Sequence, residues 1–238
     1  MPTPDARVIG AGRAGGALAA ALATGGWTVD GPLGREVDLT VAASGTRVLV
    51  LAVPDSRVAE VASAVEPGEA VVVHLAGSLG LDVLAPHDRV ASLHPLVALP
   101  DAATGSARLR GAWFAVSGDL VASELVAALG GHTVVVPDAD RARYHAAAVL
   151  ASNHLVALLG QVERVAADVG VPLEAYLDLA RGALDDVAAV GPAQALTGPV
   201  SRGDWDTVSR HLDALAPAER PAYALLADAA RRLCEPVT

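Results

Sequence analysis

Short runs of β-branched residues alternate with Ala- and Leu-rich segments through the first half of the chain. ARVIG (6–10) reads as a strand and RAGGALAAALATGG (13–26) as a helix closed by glycines. WTVDG (27–31) is a second strand, TRVLVLAV (46–53) a third, and SRVAEVASAV (56–65) the helix after it. EAVVVHLAG (69–77), RVASLHPL (89–96), AWFAVSG (112–118) and HTVVVPD (132–138) supply further strands. Strands alternating with helices predict βαβ units and a mostly parallel sheet. Only the stretch Glu36 to Gly45 separates Arg35 from the third strand region. A helical crossover with its turns usually needs more chain than that, so the second crossover is expected to be short or irregular.

The pattern changes near residue 138. From Asp140 to about Val169 only Gly160 interrupts the helical pattern, and Gly170-Val171-Pro172 ends it. Such a helix would run to about 45 Å at ~1.5 Å per residue. Further helices are predicted at about 173–190, 204–215 and 217–235, with a loop-rich interruption at 191–204. The expected organisation is an α/β domain over 1–138 and an all-α domain over 139–238.

Inside the long helix, AVLASNHLVALLG (148–160) carries Asn153, the only asparagine in the chain, between Ser152 and His154. A buried amide costs a few kcal/mol, roughly, unless it is hydrogen-bonded. Either neighbouring helices satisfy it or that face looks at a ligand. At about 100° per residue, His145 and Ser152 fall within about 20° of each other, Asn153 lies about 80° away, and His154 points to the opposite side from His145. The expectation is a helix face presenting His145, Ser152 and Asn153 to a substrate; a polar contact between helices is the alternative.

Composition narrows the classes. The 238 residues are 53 % hydrophobic and 18 % charged, which suits a folded chain of one or two domains. A net charge of −10 without an Arg-rich stripe argues against nucleic-acid or anionic-membrane partners. All 17 basic residues are arginine, so Schiff-base chemistry or acid–base work by lysine is excluded. The single Cys234 allows no internal disulfide, and no metal-ligand spacing is present. The N-terminal MPTPDARVIG lacks a secretory pattern. No charge-free apolar stretch of about 20 residues is read, so no membrane span is expected, and a cytoplasmic location is.

VIGAGRAGGALAAAL places Gly10, Gly12 and Gly15 in G-x-G-x-x-G spacing between a predicted strand and a predicted helix. The first glycine allows the tight turn, the second lets the backbone approach a pyrophosphate, and the third lets the helix pack on the strand. That context points to a dinucleotide, with S-adenosylmethionine or a purely structural turn as rivals. Gly10, Gly12, Arg13, Ala14 and Gly15 form the candidate phosphate loop. Asp30 could accept the ribose 2′-OH of NAD, and Arg35 could pair with the 2′-phosphate of NADP. NADP is favoured, with NAD possible.

The stretches VIGAGRAGGALA, VLVLAVPDSRV, VVVHLAGSLGLDVLAP, SLHPLVALPD, YHAAAVLASNHLVALL and ALTGPVSRGDWDTVSRHL occur in this order. Over nearly its whole length the chain resembles a family of NAD(P)-binding oxidoreductases with a Rossmann-like domain and a helical C-terminal domain of unknown function. That family is similar in architecture to ketopantoate reductase, pyrroline-5-carboxylate reductase and 6-phosphogluconate dehydrogenase. The resemblance implies a Rossmann-like parallel-sheet domain followed by an all-α domain like the C-terminal domain of 6-phosphogluconate dehydrogenase. It also implies a homodimer, and a long helix crossing the mouth of the cleft. Relatives carry a longer second crossover, and the active-site lysine of ketopantoate reductase and 6-phosphogluconate dehydrogenase has no counterpart here.

The remaining candidates lie at predicted strand ends, where open α/β sheets bind ligands. Val53 and Pro54 would pass the nicotinamide, and Asp55 would cap the next helix. Gly77 would permit close approach and Ser78 offer a hydroxyl, while His74 reads as a satisfied core histidine. His94, held extended by Pro95, is the candidate proton donor as hydride arrives. Thr197, Gly198 and Pro199 form a turn before Arg202, an anion-binding or ion-pairing candidate, and Asp204, an N-cap. The expected activity is reduction of a small polar carbonyl or imine, such as a keto acid, by NADPH. A binding or sensing module that has lost turnover is the rival class, and a methyltransferase the third.

Overall fold

The computed structural model describes residues 5–235. Seven strands form one sheet in the order β2-β1-β3-β4-β5-β6-β7. They are β1 (Ala6–Ile9), β2 (Val29–Leu33), β3 (Val48–Leu51), β4 (Val71–His74), β5 (Val90–Pro95), β6 (Trp113–Gly118) and β7 (His132–Val135). The pairs from β2 through β5 are parallel, β6 runs antiparallel to β5, and β7 runs parallel to β6. The chain leaves β1 towards β2 and returns past it to β3, so the order reverses beside β1, where such sheets open a ligand crevice at their carboxyl ends.

Helices α1 (Arg13–Thr24), α2 (Val58–Ser63), α3 (Ala102–Leu109) and α4 (Val121–Ala128) flank the sheet. Successive residues of a strand face opposite sides, and both sides are apolar. Val48, Val50, Val71, Val73, Leu93 and Phe114 pack with α1, α3 and α4. Leu49, Leu51 and Val72 pack with Val58, Val61 and Ala62 of α2 and with Leu84. Burial on both faces explains why these strands read as continuous apolar runs. Helices α1 and α3 approach closely because a methyl added to Gly105 would lie 2.8 Å from Ala17 Cβ.

No helix lies between β2 and β3. That crossover is a chain of turns, and one side chain of β1 reaches across to it. The Arg7 guanidinium pairs with Asp30 at 2.6 Å and donates from Nη1 to the carbonyls of Ala42 (2.8 Å) and Ser44 (3.0 Å). The expectation of a short, irregular crossover holds.

The chain divides into two compact units, the first ending at Ser152 and the second beginning at Asn153. The change from sheet to helix falls near 138 as read from the sequence, but α5 (Arg141–Val149) packs with the sheet unit. The second unit holds α6 (Leu155–Ala167), α7 (Leu173–Val190), α8 (Pro192–Ala195), α9 (Trp205–Ala214) and α10 (Arg220–Leu233). Arg164 pairs with Glu219 at 2.7 Å, joining α6 to the start of α10. His211 and Tyr223 share a 2.7 Å hydrogen bond between α9 and α10. Asp204 caps α9 as expected, accepting from Thr207 N at 3.0 Å.

One expectation is corrected here. The long helix is not regular: Leu150–His154 is a π-helical turn between α5 and α6. Such a turn carries more residues than an α turn, so the wheel relating His145 to Ser152, Asn153 and His154 does not apply. The sequence also led to the expectation of no membrane span. Asp138–Ala167 is, among the described residues, long and apolar enough by length and composition alone, with a mean hydropathy of 1.2 over its best window and none of that window buried. It is a single such helix, and its ends carry Arg141, Arg143, Glu163 and Arg164.

Candidate active site at the carboxyl ends of the sheet

The glycine loop follows β1. Gly10 has φ +114°, and a Cβ there would lie 2.3 Å from the carbonyl oxygen of Ala52 and 3.3 Å from Val53 N. The loop therefore runs against the end of β3, beside Val53 and Pro54. A Cβ on Gly15 would sit 1.9 Å from the Gly10 carbonyl, so α1 can start only where no side chain intervenes. Gly12 differs: its missing Cβ faces open space, and it precedes α1 without a side-chain cap. Uncapped N–H groups at a helix N-terminus with open space before them suit an anion. The loop thus fits a dinucleotide pyrophosphate, with Arg13 exposed and Ala14 half-buried beside it. Near the start of β2, Asp30 is engaged by Arg7, while Arg35 is exposed in the turn two residues beyond the strand's carboxyl end. Asp55 is exposed and makes no capping hydrogen bond, so its expected capping role is not observed.

Further along the sheet, β4, β5 and α5 bring a second set of groups together. His74 ends β4 and is fully buried. Its Nδ1 accepts from Ala76 N at 3.2 Å, so its proton sits on Nε2, which donates to the Gly80 carbonyl at 3.2 Å. Both ring nitrogens are used, and the ring ties down the loop that carries Gly77 and Ser78. Burial first, then Arg141, lowers its pKa to about 4. The core-histidine reading of His74 is the one the structure bears out.

His94, near the end of β5, is half-buried. Its Nδ1 lies 2.7 Å from the Tyr144 hydroxyl, and the two rings meet edge to face at 5.5 Å. His145 lies edge to face on the same imidazole at 5.7 Å. A Cβ on Gly77 would be 2.5 Å from His145 Cδ2 and 2.8 Å from His94 Nε2, so glycine is what lets both imidazoles close on the β4 loop. Burial, then His145, Arg141 and His74, lowers the His94 pKa to about 4. At pH 7 about one molecule in 10³ would carry an imidazolium there. Burial raises the Tyr144 pKa, which keeps its hydroxyl protonated.

Arg141 fixes this arrangement. It is 1 % exposed, and its Nη2 donates to Ser92 and, at 2.8 Å, to Ser117, which face each other across β5 and β6 in register. Asp138 is 3.9 Å from its Nε and also accepts from Leu81 N at 2.9 Å. Nε and Nη1 of Arg141 make no hydrogen bond among the described residues, and burial lowers its pKa. Residues i, i+3 and i+4 share a helix face, so burying Arg141 carries Tyr144 and His145 onto the strand ends.

Of the sequence candidates, His94, His145, Gly77 and Ser78 are gathered at this second locus, and Gly10, Gly12, Arg13, Ala14, Gly15, Val53 and Pro54 at the first. Ser152 and Asn153 are exposed on the π-helical turn, and Ser152 donates to the Ala148 carbonyl at 2.7 Å. Arg202 is exposed in the second unit. Arg141, Tyr144, Ser92 and Ser117 were not singled out in the sequence. The signal available was the spacing of Arg141, Tyr144 and His145 on one helix face.

Residues 115–230 match the model of a family described as a domain of unknown function (DUF2520). No curated protein sequence matches the chain. Among solved structures, the chain is similar to a Bacteroides fragilis protein provisionally named an NADP oxidoreductase, at 21 % identity and a TM-score of 0.80, covering 97 % of this chain and 99 % of that one. It is similar to a Thermotoga maritima protein at 22 % identity and a TM-score of 0.75, covering 96 % and 98 %. It is also similar to an Aspergillus terreus reductive aminase in complex with NADPH and ethyl levulinate, at 17 % identity and a TM-score of 0.68, covering 97 % and 94 %. The chain thus has the fold of Rossmann-type dehydrogenases with a helical C-terminal domain, as its motifs implied.

Proposed function

We propose that the chain is an NADPH-dependent reductase of a small polar carbonyl or imine compound. The observation that carries this reading is the pair of loci at the carboxyl ends of one sheet's strands: an open glycine loop after β1, and a cluster of protic side chains after β4 and β5. The similar structures named for NADP or holding NADPH support the cofactor class. NADPH would supply the hydride. Gly10, Gly12, Arg13, Ala14 and Gly15 would hold its pyrophosphate, and Val53, Pro54 and Gly77 would border its nicotinamide. Arg35 would meet the 2′-phosphate. The engagement of Asp30 by Arg7 supports NADP over NAD, because the acid that would accept a ribose hydroxyl is already an ion-pair partner. His94, His145 and Ser78 would surround the reacting group, with Ser152 at the end of the same unit orienting its polar end.

The same reading includes a homodimer. In the second unit Val156, Leu179, Leu184 and Leu225 are 56–72 % exposed, and α7 and α10 bury no residue. Apolar surface on that scale marks an interaction face, and a second copy would cover it.

The test is a fluorescence titration of the purified protein with NADPH and with NADH. We expect micromolar NADPH binding, lost in Gly12→Asp. Arg35→Ala should weaken NADPH about tenfold, or about 1.4 kcal/mol, and leave NADH unchanged. Absence of binding to either cofactor would remove the reductase reading.

A further inference from the structure

We infer that Tyr144 is the group that hands the proton to the substrate, with His94 behind it as the positioning partner that returns one. The inference rests on the reductase reading above and goes beyond it by replacing the expected donor. The geometry comes first. Tyr144 is half-buried at the carboxyl end of β5, with its hydroxyl 2.7 Å from His94 Nδ1. Its ring is set by the edge-to-face contact with His94 and by the buried Arg141 one turn earlier on the same face. Three other protic groups of the cluster are committed elsewhere. His74 uses both ring nitrogens, and Ser92 and Ser117 hold each other and Arg141.

The chemistry favours the hydroxyl. Reduction of a carbonyl or imine leaves a strongly basic oxygen or nitrogen, which a phenol can protonate. A neutral imidazole N–H is a much weaker acid, and burial keeps His94 neutral at physiological pH. In the step, hydride reaches carbon and the Tyr144 O–H bond breaks as the new O–H or N–H bond forms. The tyrosinate is then held by the His94 Nδ1–H. It recovers its proton when that N–H bond breaks and His94 Nε2 takes a proton from solvent. The imidazole leaves the cycle as the other neutral tautomer and resets by exchange with water.

This requires a stated tautomer before reaction: Nδ1 of His94 must carry the proton and donate to the tyrosine oxygen, leaving the hydroxyl hydrogen free for substrate. The test is imidazole nitrogen NMR of the full chain, labelled at histidine, with and without NADPH, and assigned with His94→Gln. The expected result is an Nδ1-protonated His94 that shifts towards the Nε2-protonated form in Tyr144→Phe. A wild-type His94 protonated on Nε2 would overturn the inference, because the tyrosine hydrogen would then be spent on the ring. An unchanged tautomer in Tyr144→Phe would overturn it too.

A second measurement follows NADPH oxidation with pyruvate, glyoxylate and 1-pyrroline as probes. Tyr144→Phe should lower kcat at least 10²-fold, the scale of general-acid catalysis, with NADPH affinity unchanged within twofold. An undiminished kcat, or a larger loss in His145→Gln than in Tyr144→Phe, would assign the donor elsewhere and overturn the inference. Where no probe turns over, the tautomer measurement decides. Loss of the reductase reading shows separately, as absence of NADPH binding.

Discussion

His74 makes the stability of the sheet unit depend on pH in a defined window. It is fully buried, both nitrogens are used, and its pKa falls from 6.5 to about 4. Between those values the unfolded chain binds a proton that the folded chain refuses, so stability rises with pH across the window. The contribution is complete above pH 6.5 and is lost as pH falls to about 4. A shift of this size corresponds to about 3 kcal/mol, with a slope of at most about 1.4 kcal/mol per pH unit. His94 adds to the slope in the same direction, less strongly because it is partly exposed. Urea unfolding at pH 7.5, 6.5, 5.5 and 4.5 in a Trp205→Phe background measures this. The remaining Trp27 and Trp113 both lie in the sheet unit. His74→Gln should lower stability at pH 7.5 and flatten the slope between pH 6.5 and 4.5. An equal slope in the variant and its parent would refute the reasoning, whatever the loss at neutral pH.

Two further outcomes test the packing of the candidate site. Gly77→Ala sets a methyl against His145 and His94, and should cost about 1–3 kcal/mol by overpacking, read from urea midpoints; an unchanged midpoint would show that the imidazoles swing aside freely. Arg141→Met removes a buried cation that depresses both histidines, so the His74 and His94 pKa values should rise, read from their NMR titrations. The folded state should change by no more than about 1–2 kcal/mol, since two unsatisfied donors leave with the charge.

The strands were legible because a doubly covered sheet demands unbroken apolar runs, and VLVL and VVVH have nothing else to do. The glycine loop was legible because steric need at Gly10 and Gly15 leaves a fixed spacing. The two outer helices α3 and α4 were less so, their segments ATGSARL and ASELVAA being short and mixed in polarity. The candidate site was half legible. His94 and Gly77 stand at strand ends, where chemistry is sought, but Arg141 looks like any surface arginine until its burial against Ser92 and Ser117 is seen. That burial depends on β6 running antiparallel to β5, which pairs Ser117 with Ser92, and no local pattern announces the reversal. Asp30 shows the converse: its spacing suggested a ligand contact, yet its nearest cation is Arg7 on the neighbouring strand.

The π-helical turn at Leu150–His154 has a consequence for heredity and for comparison. An i→i+5 turn holds one residue more than an α turn, so everything after it is displaced in phase by about 100°. A relative whose helix is α throughout would therefore match this chain on either side of the turn only if one position is left unpaired inside LASNH. Without that gap, every role transferred to a residue beyond 154 would land on the wrong flank of the helix. One codon, gained or lost at this point, rewrites which side chains α6 presents while leaving its own sequence untouched.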